Sequence, residues 1–362
     1  MDFTLTDEQA LLRDSAARLL RDRFDFGRRG ALLGEGGAAF WPDIAALGWP
    51  ALGLPEAVGG MDGTLVDQAI LMQELGRALY VGPYLSTAVT SAWLLCSVDG
   101  KHAESLLEGI AAGTLTVTLA HGEPGGRGIL DVPGTKAVAS GPDTVRLTGR
   151  KRLVPDAATA GKVVVTAQGD GGLVLALIDP AGQRQDYRTL DKGFVSDLDL
   201  DGVDGTVLAT GAAAEVALDA AICATLTALG AEAVGVAEGA LQHTRDYVAG
   251  RSQFGRRLGD FQVVQHRLAD MFVEIEQLKA LLLHALSVAD QPGPDRLRAA
   301  VGLKVLAGDV AKRVAGDGLH LHGGMGMTEE MPISHYYRRA RVLEAQYGNT
   351  GYFTRAHARG LT

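Results

Sequence analysis

Apolar positions in the first hundred or so residues recur every three or four places. Leu12, Ala16, Leu19 and Leu20 fall on one helical face. Just upstream, Thr6 and Gln9 have the Thr-x-x-Gln spacing of a capping box, in which the hydroxyl takes one orphan N–H and the amide returns to the cap. A turn punctuated by glycine and proline follows, from Leu47-Gly48 through Pro55 to Gly59-Gly60, and then an amphipathic run from Asp67 to Leu79. Near residue 113 the period changes to two. Thr114-Leu115-Thr116-Val117-Thr118-Leu119 alternates and is rich in β-branched residues, which predicts a strand. Shorter strand-like runs lie at 144–147, 162–166, 173–178 and 206–208, and Gly169-Asp170-Gly171-Gly172 predicts a hairpin turn. From about 213 to 358 the helical period returns in three or four long segments. The expected fold class is α+β: an N-terminal helical domain over 1–112, a middle β domain over 113–212 and a C-terminal helical bundle over 213–362. An order of α, then β, then α is not the alternation of a doubly wound sheet.

Composition narrows the function classes. The chain has 362 residues, 47% of them apolar, enough for two or three domains with full cores. Its 34 basic residues against 43 acidic ones give a net charge of −9, which argues against a nucleic-acid partner or an anionic membrane surface. The start, Met-Asp-Phe-Thr-Leu-Thr-Asp-Glu, is acidic where a secretory signal is basic and then apolar. The Ala-rich stretch 209–240 is interrupted by Glu215, Asp219, Glu232 and Glu238, too often for a membrane span. Cys96 and Cys223 are isolated, so neither a disulfide framework nor a cysteine zinc site is expected, and a reducing cytoplasm fits. His320 and His322 lie one residue apart with no third ligand at a metal spacing, which favours a structural pair over a metal site. There is no Gly-x-Ser-x-Gly elbow, HExxH or P-loop motif.

Two segments carry candidate chemistry. Gly323-Gly324-Met325-Gly326 follows helical pattern rather than a strand, with no acidic residue about 20 positions on in a second strand, so a Rossmann fingerprint is not expected. It reads either as a turn between helices or as a place where backbone N–H groups approach a phosphate. Arg251-Ser252-Gln253-Phe254-Gly255 reads as a loop leading into a helix that begins near Phe261-Gln262. Arg251 offers a fork of donors suited to a pyrophosphate and Phe254 a flat apolar face.

Together these segments resemble the acyl-CoA dehydrogenase family. Arg-x-Gln-Phe-Gly followed by Phe261-Gln262-x-x-Gln265-His266 is similar to its flavin-binding segment. Leu47-Gly48…Gly53-Leu54-Pro55-Glu56…Gly59-Gly60 resembles its N-terminal signature, and His320-Leu321-His322-Gly323-Gly324-Met325-Gly326 its C-terminal glycine loop. The resemblance spans essentially the whole chain and implies a small β-barrel-like middle domain, a C-terminal four-helix bundle and FAD as cofactor. Family members oxidise an acyl-CoA to a 2,3-enoyl-CoA. A glutamate removes the α-proton, hydride passes to the flavin, and electrons go on to an electron-transfer flavoprotein. By the same resemblance, Arg251, Gln253, Phe254, Gln262, His320, Gly323, Gly324 and Gly326 bind the adenosine-diphosphate end of a FAD shared with a neighbouring subunit.

The half that holds flavin and substrate is eroded. Where the family has Thr-Glu-Pro-Gly-Ala-Gly-Ser-Asp, this chain has Gly122-Glu123-Pro124-Gly125-Gly126-Arg127-Gly128-Ile129. Where the family has Trp-Ile-Thr-Asn, it has Leu153-Val154-Pro155-Asp156, and Pro155 has neither hydroxyl nor N–H to offer. The two family positions for the base fall on Tyr347 and Thr225, so no catalytic carboxylate is expected at either, and Glu344 is the carboxylate nearest Tyr347 in sequence. A phenol of ordinary pKa, about 10, is almost wholly protonated at neutral pH. The pattern resembles the small β-type subunit of heteromeric α2β2 acyl-CoA dehydrogenases, whose homologous partner carries the base. Such a subunit implies a bulky or polar acyl-CoA substrate, as in steroid side-chain degradation. The alternatives are a homotetrameric flavin oxidase or monooxygenase, and a flavin-free scaffold.

Overall fold

The computed structural model describes residues 4–34, 37–180, 183–291 and 293–360. The first helix, Asp7–Arg23, starts where the capping box predicts. Thr6 Oγ1 accepts the Gln9 N–H and Gln9 Oε1 accepts the Thr6 N–H, both at 3.2 Å. Ala16 and Leu20 are buried and Leu12 and Leu19 half-buried, so the predicted face is the inward one.

Nine strands are described between residues 113 and 212: β1 (Val117–Ala120), β2 (Lys136–Ala139), β3 (Thr144–Thr148), β4 (Arg150–Pro155), β5 (Lys162–Gly169), β6 (Gly172–Ile178), β7 (Gln183–Arg188), β8 (Phe194–Asp199) and β9 (Val203–Thr210). β5, β2, β3, β9 and β6 follow one another round, and β6 pairs back onto β5, which closes a small barrel; β1 lies parallel on β5. Valines and alanines of β5 and β6, with Val145 and Leu147 of β3, fill its interior. β4, β8 and β7 form a separate antiparallel sheet. The strand expected over 114–119 begins only at Val117. The N–H groups of Thr114 and Leu115 both turn back to Gly109 O at 3.0 Å and close the Lys101–Ala111 helix instead.

Packing divides the described residues into two units that do not follow chain order. One draws on Met1–Arg29, Ala69–Tyr80 and Leu226–Thr362, the other on Gly30–Gln68 and Val81–Thr225. In the first, the Pro294–His322 helix packs against the Gln262–Ser287, Pro332–Ala345 and Thr350–Ala358 helices. Gly235, on the Gly211–Gly250 helix, lets backbone approach backbone, since a Cβ there would stand 1.9 Å from the Gln73 carbonyl oxygen. The Pro332–Ala345 helix adds polar ties: Arg339 makes a two-pronged buried ion pair with Glu232 at 2.6 and 2.9 Å, and the Tyr336 hydroxyl donates to Arg77 O at 2.6 Å.

The Gly211–Gly250 helix corrects one expectation. Its acidic residues leave a window long and apolar enough to cross a membrane by length and composition, and that window is entirely buried within the protein. It is a core helix because its neighbours cover it, not because charges interrupt it.

Candidate functional site

The segment read as a loop after Arg251 is a hairpin. Arg251 leaves the end of the Gly211–Gly250 helix with its N–H donating to Tyr247 O at 2.9 Å. Ser252 and Gln253 then pair antiparallel with Arg257 and Arg256. Phe254 and Gly255 make the two-residue turn, with φ of +56° and +80°. The Phe254 side chain is 88% exposed, and Arg251 is exposed with no ion pair among the described residues. Gln253 is exposed and donates to its neighbour's carbonyl, Ser252 O, at 2.9 Å. Gln262 is the exposed first residue of the Gln262–Ser287 helix.

Gly323–Met327 forms a single tight turn after the Pro294–His322 helix. Gly323 takes φ +62° and ψ −145°, a conformation essentially reserved for glycine. Nothing lies within 4 Å of where a Cβ would stand on Gly323 or Gly324, whereas one on Gly326 would press on His322 Cβ at 2.9 Å and Leu319 O at 3.0 Å. The first two glycines are open, and the third is packed.

Tyr247 brings hairpin and glycine turn together. Its ring stacks on His322 with centroids 4.1 Å apart at 20°, and its hydroxyl donates to His322 O at 3.3 Å. His322 Nδ1–H donates to Gly318 O at 2.8 Å, and burial lowers its pKa. His320, on the same helix, is exposed. No motif in the sequence marks Tyr247; the available signal is its place one helical turn before Arg251.

Neither base position offers a carboxylate. Thr225 is fully buried; its hydroxyl donates to Ala221 O at 2.6 Å and lies 2.8 Å from the Thr90 hydroxyl. Tyr347 is half-buried at φ +61° in the turn between the last two helices. Glu344 is built into that turn, accepting the Thr350 N–H at 3.3 Å. Beneath it the buried Lys304 ammonium donates to Leu343 O at 2.6 Å and Glu344 O at 3.1 Å, and burial pushes its pKa down to about 7.

In the other unit, His121, Glu123 and Thr135 of the segment 121–135 are bonded within the protein. The Glu123 carboxylate accepts from Gly134 N–H at 2.6 Å, Thr135 N–H at 2.9 Å, the Thr135 hydroxyl at 2.6 Å and Lys151 Nζ at 2.5 Å. Partial burial works to raise its pKa, but the hydrogen bonds from Lys151 and Thr135 win and hold it at about 2. Lys151 is fully buried and also donates to His121 O at 3.2 Å. His121 Nε2–H donates to Asp131 O at 2.9 Å and its Nδ1 accepts from the Thr166 hydroxyl at 3.0 Å; burial first, then the Lys151 charge, lowers its pKa to about 4. The 153–156 segment is likewise engaged. Leu153 sits on a bulge at φ +53° with its N–H donated to Asp197, Pro155 O accepts from Thr118, and Asp156 accepts from Ser86.

The description of the acyl-CoA dehydrogenase N-terminal domain matches residues 6–113, and that of the acyl-CoA dehydrogenase C-terminal domain matches 224–362. Acyl-CoA dehydrogenase FadE28 of Mycobacterium tuberculosis is 31% identical over 353 residues, 96% of this chain and 95% of its own length. Among solved structures, a variant of the Tcur3481–Tcur3483 steroid ACAD superposes with a TM-score of 0.90 at 31% identity, covering 99% of each chain. The ChsE4–ChsE5 complex from Mycobacterium tuberculosis superposes with a TM-score of 0.88 at 25% identity, over 100% of this chain and 99% of that one.

Proposed function

The chain belongs to the acyl-CoA dehydrogenase family, and on that premise we propose that it is the adenosine-side subunit of a heteromeric enzyme that desaturates a bulky acyl-CoA thioester. One asymmetry carries the reading. Arg251, Phe254, Gly323 and Gly324 present open, exposed surface, while both base positions lack a carboxylate.

The adenosine-diphosphate end of FAD fits these residues. Arg251 suits the pyrophosphate, Phe254 the adenine face, and the two open glycines a close backbone approach. The flavin end does not fit 122–123 and 153–156, whose polar groups are spent on the protein itself. FAD, when bound, supplies the hydride acceptor. This chain's residues hold and orient its distal end, and the partner subunit contributes the flavin end's supports and the glutamate that removes the α-proton. A well-placed base is worth about 10²–10⁴ in rate, so this chain alone is not expected to turn over. Electrons then leave to an electron-transfer flavoprotein, as in the family.

Two of the similar solved structures are of paired chains and one is a steroid enzyme, which supports a two-chain assembly and a bulky, steroid-type acyl group. Co-expression with a family member that carries the glutamate, followed by native mass spectrometry, tests this. The expected result is a heterotetramer with half as many FAD as chains, because FAD bound across the interface stabilises the pairing by mass action. A stable homotetramer with one FAD per chain overturns it in favour of an independent oxidase or monooxygenase, and a stable flavin-free assembly in favour of a scaffold.

A further inference from the structure

Phe254 occupies the first position of a two-residue hairpin turn with positive φ at both residues, a turn that favours Asn-Gly. A bulky residue is disfavoured in that left-handed conformation, and with the ring 88% exposed, burial does not offset the cost. The ring makes one aromatic contact among the described residues, an edge-on meeting with Phe261 at 6.3 Å and 86°. Phe261 is itself held. It is the N-cap of the Gln262–Ser287 helix, its N–H donates to Leu258 O at 3.2 Å, and the Arg256 guanidinium lies over its face, 3.9 Å from the ring centre. Arg256 stands directly across the hairpin from Gln253, the residue before Phe254. It makes no ion pair among the described residues, so its charge is turned to the ring rather than to a carboxylate.

We propose that Arg256 is a positioning residue: by clamping Phe261 it fixes the ring against which Phe254 stands, and so holds Phe254 out as the plate for an adenine. The idea rests on the reading of the hairpin as an adenosine site, and it adds a selectivity that Arg251 does not supply. Arg251 grips phosphate whatever base is attached. Arg256, acting through Phe261 and Phe254, is felt only by a ligand that carries the planar base.

The test uses the full-length chain titrated calorimetrically with ADP and, separately, with inorganic pyrophosphate. Arg256→Met, which keeps length and loses charge, should weaken ADP about 2- to 5-fold, the size of an exposed cation–π contact, and leave pyrophosphate unchanged. Arg256→Lys should restore most of the ADP affinity. Equal loss for both ligands, or loss for neither, overturns the role of Arg256. The underlying reading has its own control, because Arg251→Ala should weaken both ligands. If the parent chain binds neither, the adenosine site itself is refuted, and Arg256 falls with it.

Discussion

The three glycines of the turn at 323–326 should fail in three different ways when each is replaced by alanine. At Gly324 the added methyl enters open space, with no atom within 4 Å and no left-handed φ to strain. Stability should stay within about 0.5 kcal/mol of the parent, as for a surface change that touches nothing. The methyl nevertheless stands where a phosphate would meet the backbone. Losing one charge-assisted hydrogen bond costs about 1.5–3 kcal/mol, or roughly 10- to 150-fold in FAD affinity. At Gly323 the space is equally open but φ is +62°. The same methyl there strains the backbone by about 1–3 kcal/mol, so ordering of the turn and affinity should fall together. At Gly326 the methyl would press on His322 Cβ at 2.9 Å, and overpacking of that kind costs about 1–3 kcal/mol. Denaturant unfolding of each chain, beside FAD titration of each assembled enzyme, separates the three. A Gly324→Ala enzyme that holds FAD as tightly as the parent would refute the backbone cradle. Equal destabilisation by all three would refute the distinction between open and packed glycines.

Three further outcomes are expected. Arg251→Ala should lose roughly 10- to 150-fold in FAD affinity, and retention of FAD through extensive dialysis would contradict its assignment to the pyrophosphate. Tyr347→Glu in the chain alone should not create a dehydrogenase, because a base acts only within reach of its proton and the flavin-end supports at Gly122 and Pro155 are missing as well; bleaching of bound flavin by a panel of acyl-CoAs would show the defect lies elsewhere. His121 is held neutral in the fold, with its pKa pushed down to about 4, whereas the unfolded chain takes up the proton near pH 6.5. Stability from this group is therefore full above pH 6.5 and lost as pH falls toward about 4, by up to about 1.4 kcal/mol per pH unit. His121→Gln, which can donate to Asp131 O and accept from Thr166, should flatten that slope in unfolding titrations; an unchanged slope would show that other groups set it.

Where an element announces itself through side chains that face a core, its sequence is enough to find it. β3, β5, β6 and β9 carry β-branched or alternating apolar residues, and each strand lies over the run predicted for it. Two strands that escape, β4 and β7, have no such face. β7 is Gln-Arg-Gln-Asp-Tyr-Arg, and β4 turns Lys151 inward where a periodicity reading expects an apolar residue. β4 is ordered by pairing with β8, far along the chain, which local propensity does not encode, whereas β7 is ordered by the hairpin it makes with β8.

The candidate site divides along the same line. Motif words single out Arg251, Phe254 and the glycines because their spacing is local, and all but the packed Gly326 are found exposed. What joins them is not local: Tyr247 meets His322 from 75 residues away. Equally hidden is the use made of the loop after Ala120. In sequence, Glu123 is matched, with Pro124 and Gly125, to the family's Thr-Glu-Pro-Gly segment. In the fold its carboxylate receives four hydrogen bonds from three residues of the protein, one of them the buried Lys151. Freeing that carboxylate for a ligand would strand a buried ammonium, and breaking a buried pair in this way costs about 3–5 kcal/mol. A substitution that merely restored a hydroxyl at Gly122 would leave that obstacle in place. The polar groups of Glu123 are thus bonded within the protein itself, which a comparison of motif letters cannot register.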